Sequence, residues 1–403
     1  MLRALSTPIA SALSGAAPAV GAGLLRHARV AARTFASAAS DEEIEVEIPK
    51  PYEAYMIDAP PQKVKTSMKE LVGVYESMYR MRRMEVAADL LYKAKMIRGF
   101  CHLYDGQEAI AGGIQVGTTF QDSIVTSYRD HCIHLIRGGT VTEVIGELMG
   151  KRCGATMGFG GSMHMYSAKN NYYGGHGIVG AQIPVGTGLG FKHLYEGERN
   201  VALTLYGDGA ANQGQHFEAL NMAAIWNLPV LYIIENNHYG MGTSDRRASK
   251  QPEFYKRGGY IPGIKVDGMD AMAVKNAIMY AKEYAVENGP IMLEMDTYRY
   301  HGHSMSDPGS TYRTRDEIQS TRQERDPVDR VKAMLTSNGF EAAAVKKIEK
   351  AIKKEVDDAI EDAKKGDYPP LDWIGRYTYV DPLGRLTRGV DRFSWWETAK
   401  PGQ

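Results

Sequence analysis

The chain has 403 residues, 43% of them apolar and 24% charged, which is the composition of an ordinary soluble globular protein with a large core. Lys plus Arg equals Asp plus Glu at 48 each, so the overall charge indicates no nucleic acid and no membrane surface as a partner. The three cysteines form no CxxC pair, and no apolar run approaches the roughly 18 residues of a membrane-spanning helix, which argues against a disulfide framework, a zinc site and a membrane span.

The amino-terminal segment has the composition of an organellar transit peptide. It is rich in Arg, Ala and Ser and contains no acidic residue before Asp41. Pro8 and Pro18 interrupt the apolar centre that a secretory signal would need. We predict a transit peptide over residues 1–36, with an Ala-rich disordered tail as the alternative.

The next segment, residues 37–66, is acidic and then rich in proline, which predicts an extended arm rather than a packed element. From Ser67 the pattern becomes helical, because apolar residues recur at the i, i+3, i+4 spacing of a buried face. They are Leu71, Val74, Met78, Met81, Ala88 and Leu91. Glycine is concentrated between residues 99 and 190, which indicates sharp turns, close backbone approach to another group, or compact loops.

A short β-α-β pattern follows Asn200. Strands are predicted over 201–206 and 230–234, and the helix between them is predicted to bury Phe217, Leu220 and Ala224 on one face. Alternation of strands and helices predicts an α/β fold, with a mostly parallel sheet covered by helices on both faces.

Three elements complete the predicted organisation. A strand should end at Thr297, and a charge-rich helix with one apolar face should occupy 340–365. The main domain is therefore predicted over 67–365. The tail over 366–403 is aromatic enough that we expect it at a subunit interface.

The stretch "LYGDGAANQGQHFEALNMAAIWNLPVLYIIENN" carries the central motif. Asp208 and Asn237 follow the two strands of one β-α-β unit, so both should emerge on the same edge of the sheet. A carboxylate beside a diphosphate is repulsive unless a cation lies between them, and Mg²⁺ prefers carboxylate, amide and carbonyl oxygens. The motif thus predicts a metal-bridged diphosphate site.

Two alternatives remain open for this motif. "GDGAAN" begins like the G-x-G-x-x-G of a dinucleotide-binding fold, and Glu235 ends the next strand where a ribose-binding acid would lie. Against this, Asn212 occupies the place of the third glycine. A purely structural turn is the other possibility.

The sequence "GDGAANQGQHFEALNMAA" followed by "ENN" resembles the thiamin-diphosphate signature. Further runs match one family within that group: "HLYDGQEA", "SYRDH", "GGSMHMY", "GGHGIVGAQ", "ENNHYGMGTS", "VDGMD" and "YRYHGHSMSDPGSTYRTR". Together they resemble the alpha subunits of mitochondrial pyruvate dehydrogenases, which belong to the thiamin-diphosphate-dependent 2-oxo acid dehydrogenases. The resemblance implies a thiamin-diphosphate-binding fold, thiamin diphosphate and Mg²⁺ as cofactors, and a place in the mitochondrial matrix.

The resemblance also implies roles for individual residues. Mg²⁺ would be bound by Asp208, Asn237 and the carbonyl of Tyr239. The diphosphate would be held by Tyr128, Arg129, His303 and the backbone of Gly209 and Ala210, since guanidinium offers several donors to phosphate oxygens.

The remaining implied residues lie around the rings of the cofactor. The backbone of Gly177 and Val179 would meet the aminopyrimidine, and His102 and His303 would act catalytically beside the reacting carbon. His102 could equally be an ordinary packing histidine. "HGHS" could suggest a metal pair, but no third ligand has suitable spacing.

For the reaction, the resemblance implies oxidative decarboxylation of pyruvate and acetyl transfer to the lipoyl domain of dihydrolipoyl acetyltransferase. The chain would be active only with a beta subunit, in an alpha-two beta-two tetramer. Three alternatives are the alpha subunit for branched-chain 2-oxo acids, a nicotinamide-dependent dehydrogenase and a non-catalytic subunit that keeps the fold.

The run "YHGHSMSDPGSTYR", from Tyr300 to Arg313, also resembles a regulatory phosphorylation loop. Ser304 matches its principal site, Ser244 matches another, and Thr311 stands at the third. A dedicated kinase and phosphatase are the implied partners. Phosphate on Ser304 would add about −1.5 to −2 charges beside the cofactor diphosphate.

Overall fold

A computed structural model describes residues 39–371, together with residues 36, 373, 386–388 and 395–397. Nearly all of the predicted transit peptide, and the aromatic residues of the predicted tail apart from Tyr368 and Trp373, lie outside the residues whose side chains are described. No helix in the described part of the chain is long and apolar enough to cross a membrane.

A seven-stranded sheet forms the centre of the molecule. Its order is β2-β10-β11-β7-β6-β4-β5, and every neighbouring pair is parallel except β2 with β10. The strands are β2 (Glu53–Tyr55), β4 (Ser123–Ser127), β5 (Tyr172–His176), β6 (Ala202–Gly207), β7 (Val230–Asn236), β10 (Gly263–Asp267) and β11 (Ile291–Asp296). Antiparallel pairs outside it are β1 (Glu43–Glu47) with β3 (Lys63–Ser67), β8 (Tyr239–Gly240) with β9 (Thr243–Ser244), and β12 (Leu386–Arg388) with β13 (Trp395–Glu397).

Eleven α-helices accompany the strands within the described residues from 39 to 371. They are α1 (Met68–Lys93), α2 (Glu108–Gly117), α3 (His131–Ile136), α4 (Val141–Leu148), α5 (Gln182–Glu196), α6 (Gly214–Ile225), α7 (Asp245–Ala248), α8 (Ala271–Asn288), α9 (Arg315–Arg325), α10 (Pro327–Ser337) and α11 (Ala342–Lys365). Ser67 caps α1 by accepting the amide of Glu70, and the predicted apolar face of α1 is buried. The predicted helix over 340–365 is confirmed as α11.

Apolar residues on the two faces of the sheet belong to separate cores, as the alternation of a strand requires. On β7, Leu231 and Ile233 join the larger core, whereas Tyr232 and Ile234 join the core beneath α5 and α6. The predicted α/β class, with a mostly parallel sheet covered on both faces, is confirmed.

Two local predictions were wrong. The described part of the predicted arm, residues 39–66, is extended but also packed, because β2 pairs with β10 and the side chains of Ile48 and Tyr52 are buried. On α6 the buried residues are His216, Ala219, Leu220 and Ala223, whereas Phe217 is 45% exposed. The buried face is thus rotated away from Phe217.

Candidate active site

Four adjoining strands deliver the predicted site residues to one edge of the sheet. β5, β4, β6 and β7 are neighbours and parallel, so their carboxyl ends meet there. Gly177 follows β5, Tyr128 and Arg129 follow β4, Asp208 follows β6, and Asn237 follows β7. The register pairs the last residue of β6 with the penultimate residue of β7. The predicted placement of Asp208 and Asn237 on one edge is therefore confirmed.

Asp208 and Asn237 have the chemistry of hard oxygen ligands. Burial, together with the charge of Asp245, raises the pKa of Asp208 to about 6. The Asn237 amide donates to Oε1 of Gln107 at 3.1 Å, but its own Oδ1 is buried and accepts no hydrogen bond within the described structure. A buried acceptor without a donor is costly, and a cation beside Asp208 would satisfy both oxygens. The residues present therefore fit Mg²⁺.

The third predicted ligand, the Tyr239 carbonyl, lies on a short hairpin that begins with a turn at His238. His238 has a left-handed backbone (φ +68°), and its ring bonds Asp245 and Asp296 at 2.8 Å each. Burial opposes protonation, but these two carboxylates raise the pKa of His238 to about 9. His238 thus fixes the chain between Asn237 and Tyr239. His238 lies within "ENNHYGMGTS", but the sequence analysis assigned it no role.

Three arginines form a buried cationic cluster beside these oxygens. Arg129, Arg299 and Arg313 are 4%, 0% and 3% exposed. Their terminal nitrogens donate to main-chain carbonyls: Arg129 to Leu103 and His303, Arg299 to His301 and Tyr239, and Arg313 to Arg299 and His301.

These three guanidinium groups carry positive charge without a neighbouring carboxylate to neutralise it within the described part of the chain. None forms an ion pair with a carboxylate in the described part of the chain, and the Nε atoms of Arg299 and Arg313 are buried without an acceptor. Burial and the like charges of Arg129 and Arg313 lower the pKa of Arg299 to about 10. Buried cations are normally paired, so the cluster has the charge and the free donors to hold an anion such as a diphosphate. The sequence analysis assigned only Arg129 to this role.

His102, Tyr128 and His303 form a three-ring cluster next to Arg129. The centroid of the His102 ring lies 4.4 Å from that of Tyr128 and 5.3 Å from that of His303, and Tyr128 and His303 are 5.4 Å apart. Burial and the Arg129 charge lower the pKa of His102 to about 3 and that of His303 to about 4. Both imidazoles are therefore neutral at pH 7.

The tautomer of His102 follows from its partner. Nδ1 lies 2.9 Å from the carbonyl oxygen of His303, which can only accept, so Nδ1 carries the proton. The Nε2 atom of the neutral ring then keeps its lone pair. His102 consequently offers a hydrogen-bond or proton acceptor at the site.

Gly177 and Val179 lie at the more open side of the site. A Cβ on Gly177 would come within 3.1 Å of the His164 ring, so the backbone there is closely packed against a neighbour. Val179 is 43% exposed, and its carbonyl accepts from the amide of Gln213 at 2.6 Å. Gly209 and Ala210 begin the 3₁₀ turn (Ala210–Asn212) that leads into α6, directly after Asp208.

Glu235 is not available to a ribose. Its carboxylate is buried, and Oε1 accepts from the hydroxyl of Tyr104 at 2.5 Å and from Gln107 at 3.5 Å. Burial raises its pKa to about 7. The acid that the dinucleotide alternative requires therefore belongs to the protein interior.

Glu147, on α4, holds the glycine-rich loop that leads to "GGSMHMY". One carboxylate oxygen accepts the amides of Thr156 and Gly158 at 2.8 and 2.9 Å, and the other accepts those of Gly160 and Gly161 at 2.7 and 3.0 Å. Four donors around one carboxylate fix a loop that has little other regular structure. Part of the glycine concentration is thus explained by this internal anion.

The three hydroxyl residues of the predicted phosphorylation sites differ in exposure. Ser304 is 5% exposed, and its Oγ bonds Oγ of Ser306 at 2.8 Å. Thr311 is exposed, and the partly exposed Ser244 caps α7 by accepting the amide of Arg247. In this conformation a modifying enzyme could reach Thr311 without loop movement, but not Ser304.

One face of α5 and α6 presents large apolar side chains to solvent. Tyr195 is 81% exposed, Ile225 66% and Trp226 48%, and the ring of Phe191 lies against both Tyr195 and Trp226 at centroid distances of 6.1 and 5.8 Å. Contiguous exposed patches of this kind mark protein interaction surfaces. The exposed Phe217 belongs to the same helix pair.

Comparison with known proteins gives a consistent result. Residues 76–372 match the family described as dehydrogenase E1 component. The chain is 56% identical over 366 residues to the mitochondrial pyruvate dehydrogenase E1 component subunit alpha of Solanum tuberosum, an alignment that covers 91% of this chain and 94% of that protein. The corresponding subunits of Pisum sativum and Schizosaccharomyces pombe are 57% and 52% identical, over 86% and 79% of this chain and 88% and 78% of their own.

Proposed function

The chain belongs to the dehydrogenase E1 component family, and on this basis we propose that it is the alpha subunit of a mitochondrial pyruvate dehydrogenase. The reaction is oxidative decarboxylation of pyruvate with transfer of the acetyl group to a lipoyl group. Residues 1–36 then act as the mitochondrial transit peptide, in agreement with the names of the relatives. The relatives named here are pyruvate enzymes, which favours pyruvate over branched 2-oxo acids.

The observation that carries this proposal is that oxygens suited to a cation and donors suited to an anion lie side by side at one edge of the sheet. Asp208, Asn237 and the Tyr239 carbonyl supply oxygens suited to Mg²⁺, and the arginine cluster lies beside them with donors suited to a diphosphate. When bound, thiamin diphosphate supplies a nucleophilic carbon and an electron sink for decarboxylation. The cation and the diphosphate would give the Asn237 oxygen and the Nε atoms of Arg299 and Arg313 the partners that they lack within the described part of the chain.

The neutral histidines complete the proposed chemistry. His102 accepts a proton or hydrogen bond at Nε2, and its Nδ1 is held by the His303 carbonyl. Arg129 donates to the same carbonyl at 2.9 Å. One carbonyl oxygen therefore positions both the arginine that would bind the diphosphate and the histidine that would accept a proton.

We assign the partner surface to the exposed face of α5 and α6, together with Val179 and the neighbouring Ile178, which is 76% exposed. A beta subunit seated there would cover the open side of the site and contribute further residues to it. Alpha-two beta-two assembly and inactivity of the isolated chain are the expected consequences. The acetyltransferase lipoyl domain is the proposed acceptor partner.

The test is decarboxylation by the chain co-expressed with a beta partner, with thiamin diphosphate and Mg²⁺, comparing pyruvate with 3-methyl-2-oxobutanoate. We expect preference for pyruvate, loss of turnover in Asp208→Ala, and no turnover by the chain alone. Preference for the branched acid would move the protein to the sister enzymes. No cofactor-dependent turnover with a competent partner would support a non-catalytic subunit.

Regulation by phosphorylation of Ser304, through a dedicated kinase and phosphatase, is part of the proposal. Ser304 adjoins His303, and Asp307 accepts the His303 amide at 2.7 Å and that of Gly309 at 3.0 Å, so these contacts hold the loop closed. A kinase must open the loop to reach the buried hydroxyl. The added phosphate then disfavours reclosure beside the diphosphate.

A further inference from the structure

Glu85, His131 and Ser162 form a buried hydrogen-bonded chain, the 85–131–162 chain, behind the three-ring cluster. Nδ1 of His131 lies 3.0 Å from both carboxylate oxygens of Glu85, and Nε2 lies 2.8 Å from Oγ of Ser162. Glu85 and His131 are fully buried, and Ser162 is 6% exposed. These residues come from α1, α3 and the 3₁₀ turn at Gly161–Met163, so the 85–131–162 chain joins three separate elements.

The 85–131–162 chain ends on the backbone of His102. The Ser162 hydroxyl accepts the main-chain amide of His102 at 3.2 Å. Whichever atom carries the proton between His131 and Ser162, the hydroxyl oxygen keeps a lone pair for that amide. His102 is thereby held at two points, its amide by Ser162 and its ring by the His303 carbonyl.

We propose that Glu85, His131 and Ser162 are positioning residues that fix His102, and through it the imidazole of the proposed active site. This inference rests on the proposed function. It also gives a role to the histidine of "SYRDH" and the serine of "GGSMHMY", two motif residues to which the cofactor site assigns none. An active-site group displaced by about 1 Å can lose up to a hundredfold in rate, so a single anchoring bond matters at this position.

The molecule contains a matched control with the same chemistry at the other edge of the sheet. Ser123 Oγ lies 2.9 Å from Nε2 of His193, whose Nδ1 lies 2.6 Å from Oε2 of Glu198. Ser123 and His193 are fully buried, and Ser123 begins β4, whereas Tyr128 follows its carboxyl end. Ser123→Ala therefore removes an equivalent hydroxyl without touching the site.

The experiment is a double-mutant cycle on the assembled enzyme with saturating thiamin diphosphate and Mg²⁺. We expect Ser162→Ala to lower kcat roughly tenfold, with the affinity for thiamin diphosphate within about twofold of the parent protein. Ser162→Thr, which keeps the hydroxyl, should restore most of the turnover. In a His102→Ala background the same serine change should alter kcat by less than about twofold, because both act through one imidazole.

Three results would overturn the inference. They are a tenfold loss that persists without the His102 ring, a loss no larger than that of Ser123→Ala, and full activity of His102→Ala itself. If Ser162→Ala does not assemble, the cycle is run with Glu85→Gln, which keeps the side-chain volume. Absence of turnover in the parent enzyme would instead count against the proposed function.

Discussion

Arg299 gives a prediction in which stability and cofactor affinity change in opposite directions. Its pKa falls from an ordinary 12.5 to about 10 because of burial and the charges of Arg129 and Arg313. That shift corresponds to a cost of about 3 kcal/mol for keeping the charge in the folded chain. The cost is fully present at pH 7, because neutral pH lies below both values and the group is charged in the folded and unfolded states alike.

Replacing Arg299 by Met removes this cost together with two hydrogen bonds to carbonyls, one at 3.0 Å and one at 3.4 Å. Those bonds are worth about 1 kcal/mol each. We expect Arg299→Met to raise the free energy of unfolding of the cofactor-free protein by about 1 kcal/mol. Affinity for thiamin diphosphate should fall about 10- to 100-fold, since charge-assisted bonds to phosphate are lost.

Arg137 is the control, because it is a buried arginine with the same lowered pKa of about 10 but a different environment. Burial is the cause there, and nearby Asp122 opposes it. Its guanidinium makes five hydrogen bonds to carbonyls, with donor to acceptor distances from 2.6 to 3.3 Å. The same arithmetic predicts that Arg137→Met destabilises the protein by about 2 kcal/mol and leaves cofactor affinity unchanged.

Both variants would be measured by denaturant unfolding of the assembled protein at fixed concentration, without cofactor, and by cofactor titration with Mg²⁺. The reasoning is refuted if Arg299→Met destabilises the protein as much as Arg137→Met does. It is also refuted if cofactor affinity is the same in the two variants.

Three further predictions concern the carboxylates and the loop. Asp208→Asn should weaken Mg²⁺-dependent cofactor binding at least about 100-fold in a calorimetric titration, and binding that remains metal-dependent at parent strength would contradict the assignment. Glu147→Gln should lower the free energy of unfolding by about 3 kcal/mol, because both oxygens of Glu147 accept amides and a glutamine accepts on one side only. Glu143→Gln on the same helix should cost less than about 1 kcal/mol, because the glutamine oxygen still accepts the Thr140 amide. Ser304→Glu should abolish turnover whereas Ser310→Glu, exposed in the same loop, should not; equal activities would rule out the electrostatic switch.

The edge of the sheet at which the site lies could be predicted because it depends only on which residues directly follow each strand. Polar residues directly after consecutive parallel strands must share one edge, so Asp208 and Asn237 could be placed together without knowledge of the rest of the chain. The helices with one apolar face, α1 and α11, were predictable for the same reason. Phe217 was assigned to the wrong face because periodicity cannot distinguish an apolar side chain that faces the core from one that faces solvent.

The residues that sequence reasoning missed act through long-range contacts. Glu85 and His131 are 46 positions apart, and His238 meets Asp296 across 58. The carboxylate of Glu147 reaches backbone amides, which carry no residue-type signal at all. Arg299 and Arg313 lie within the run "YRYHGHSMSDPGSTYRTR", but their lack of carboxylate partners in the described part of the chain is a property of the folded packing alone.

The exposed face of α5 and α6 bears on the relative amounts of this subunit and its partner. A chain made in excess would present Tyr195, Ile225 and Trp226 to the surroundings, and surfaces of this kind are recognised by chaperones and proteases. Surplus copies would then be removed until the scarcer subunit sets the amount of both. The ratio of the two subunits would in this way be set after synthesis, by the exposed apolar surface of the unassembled chain.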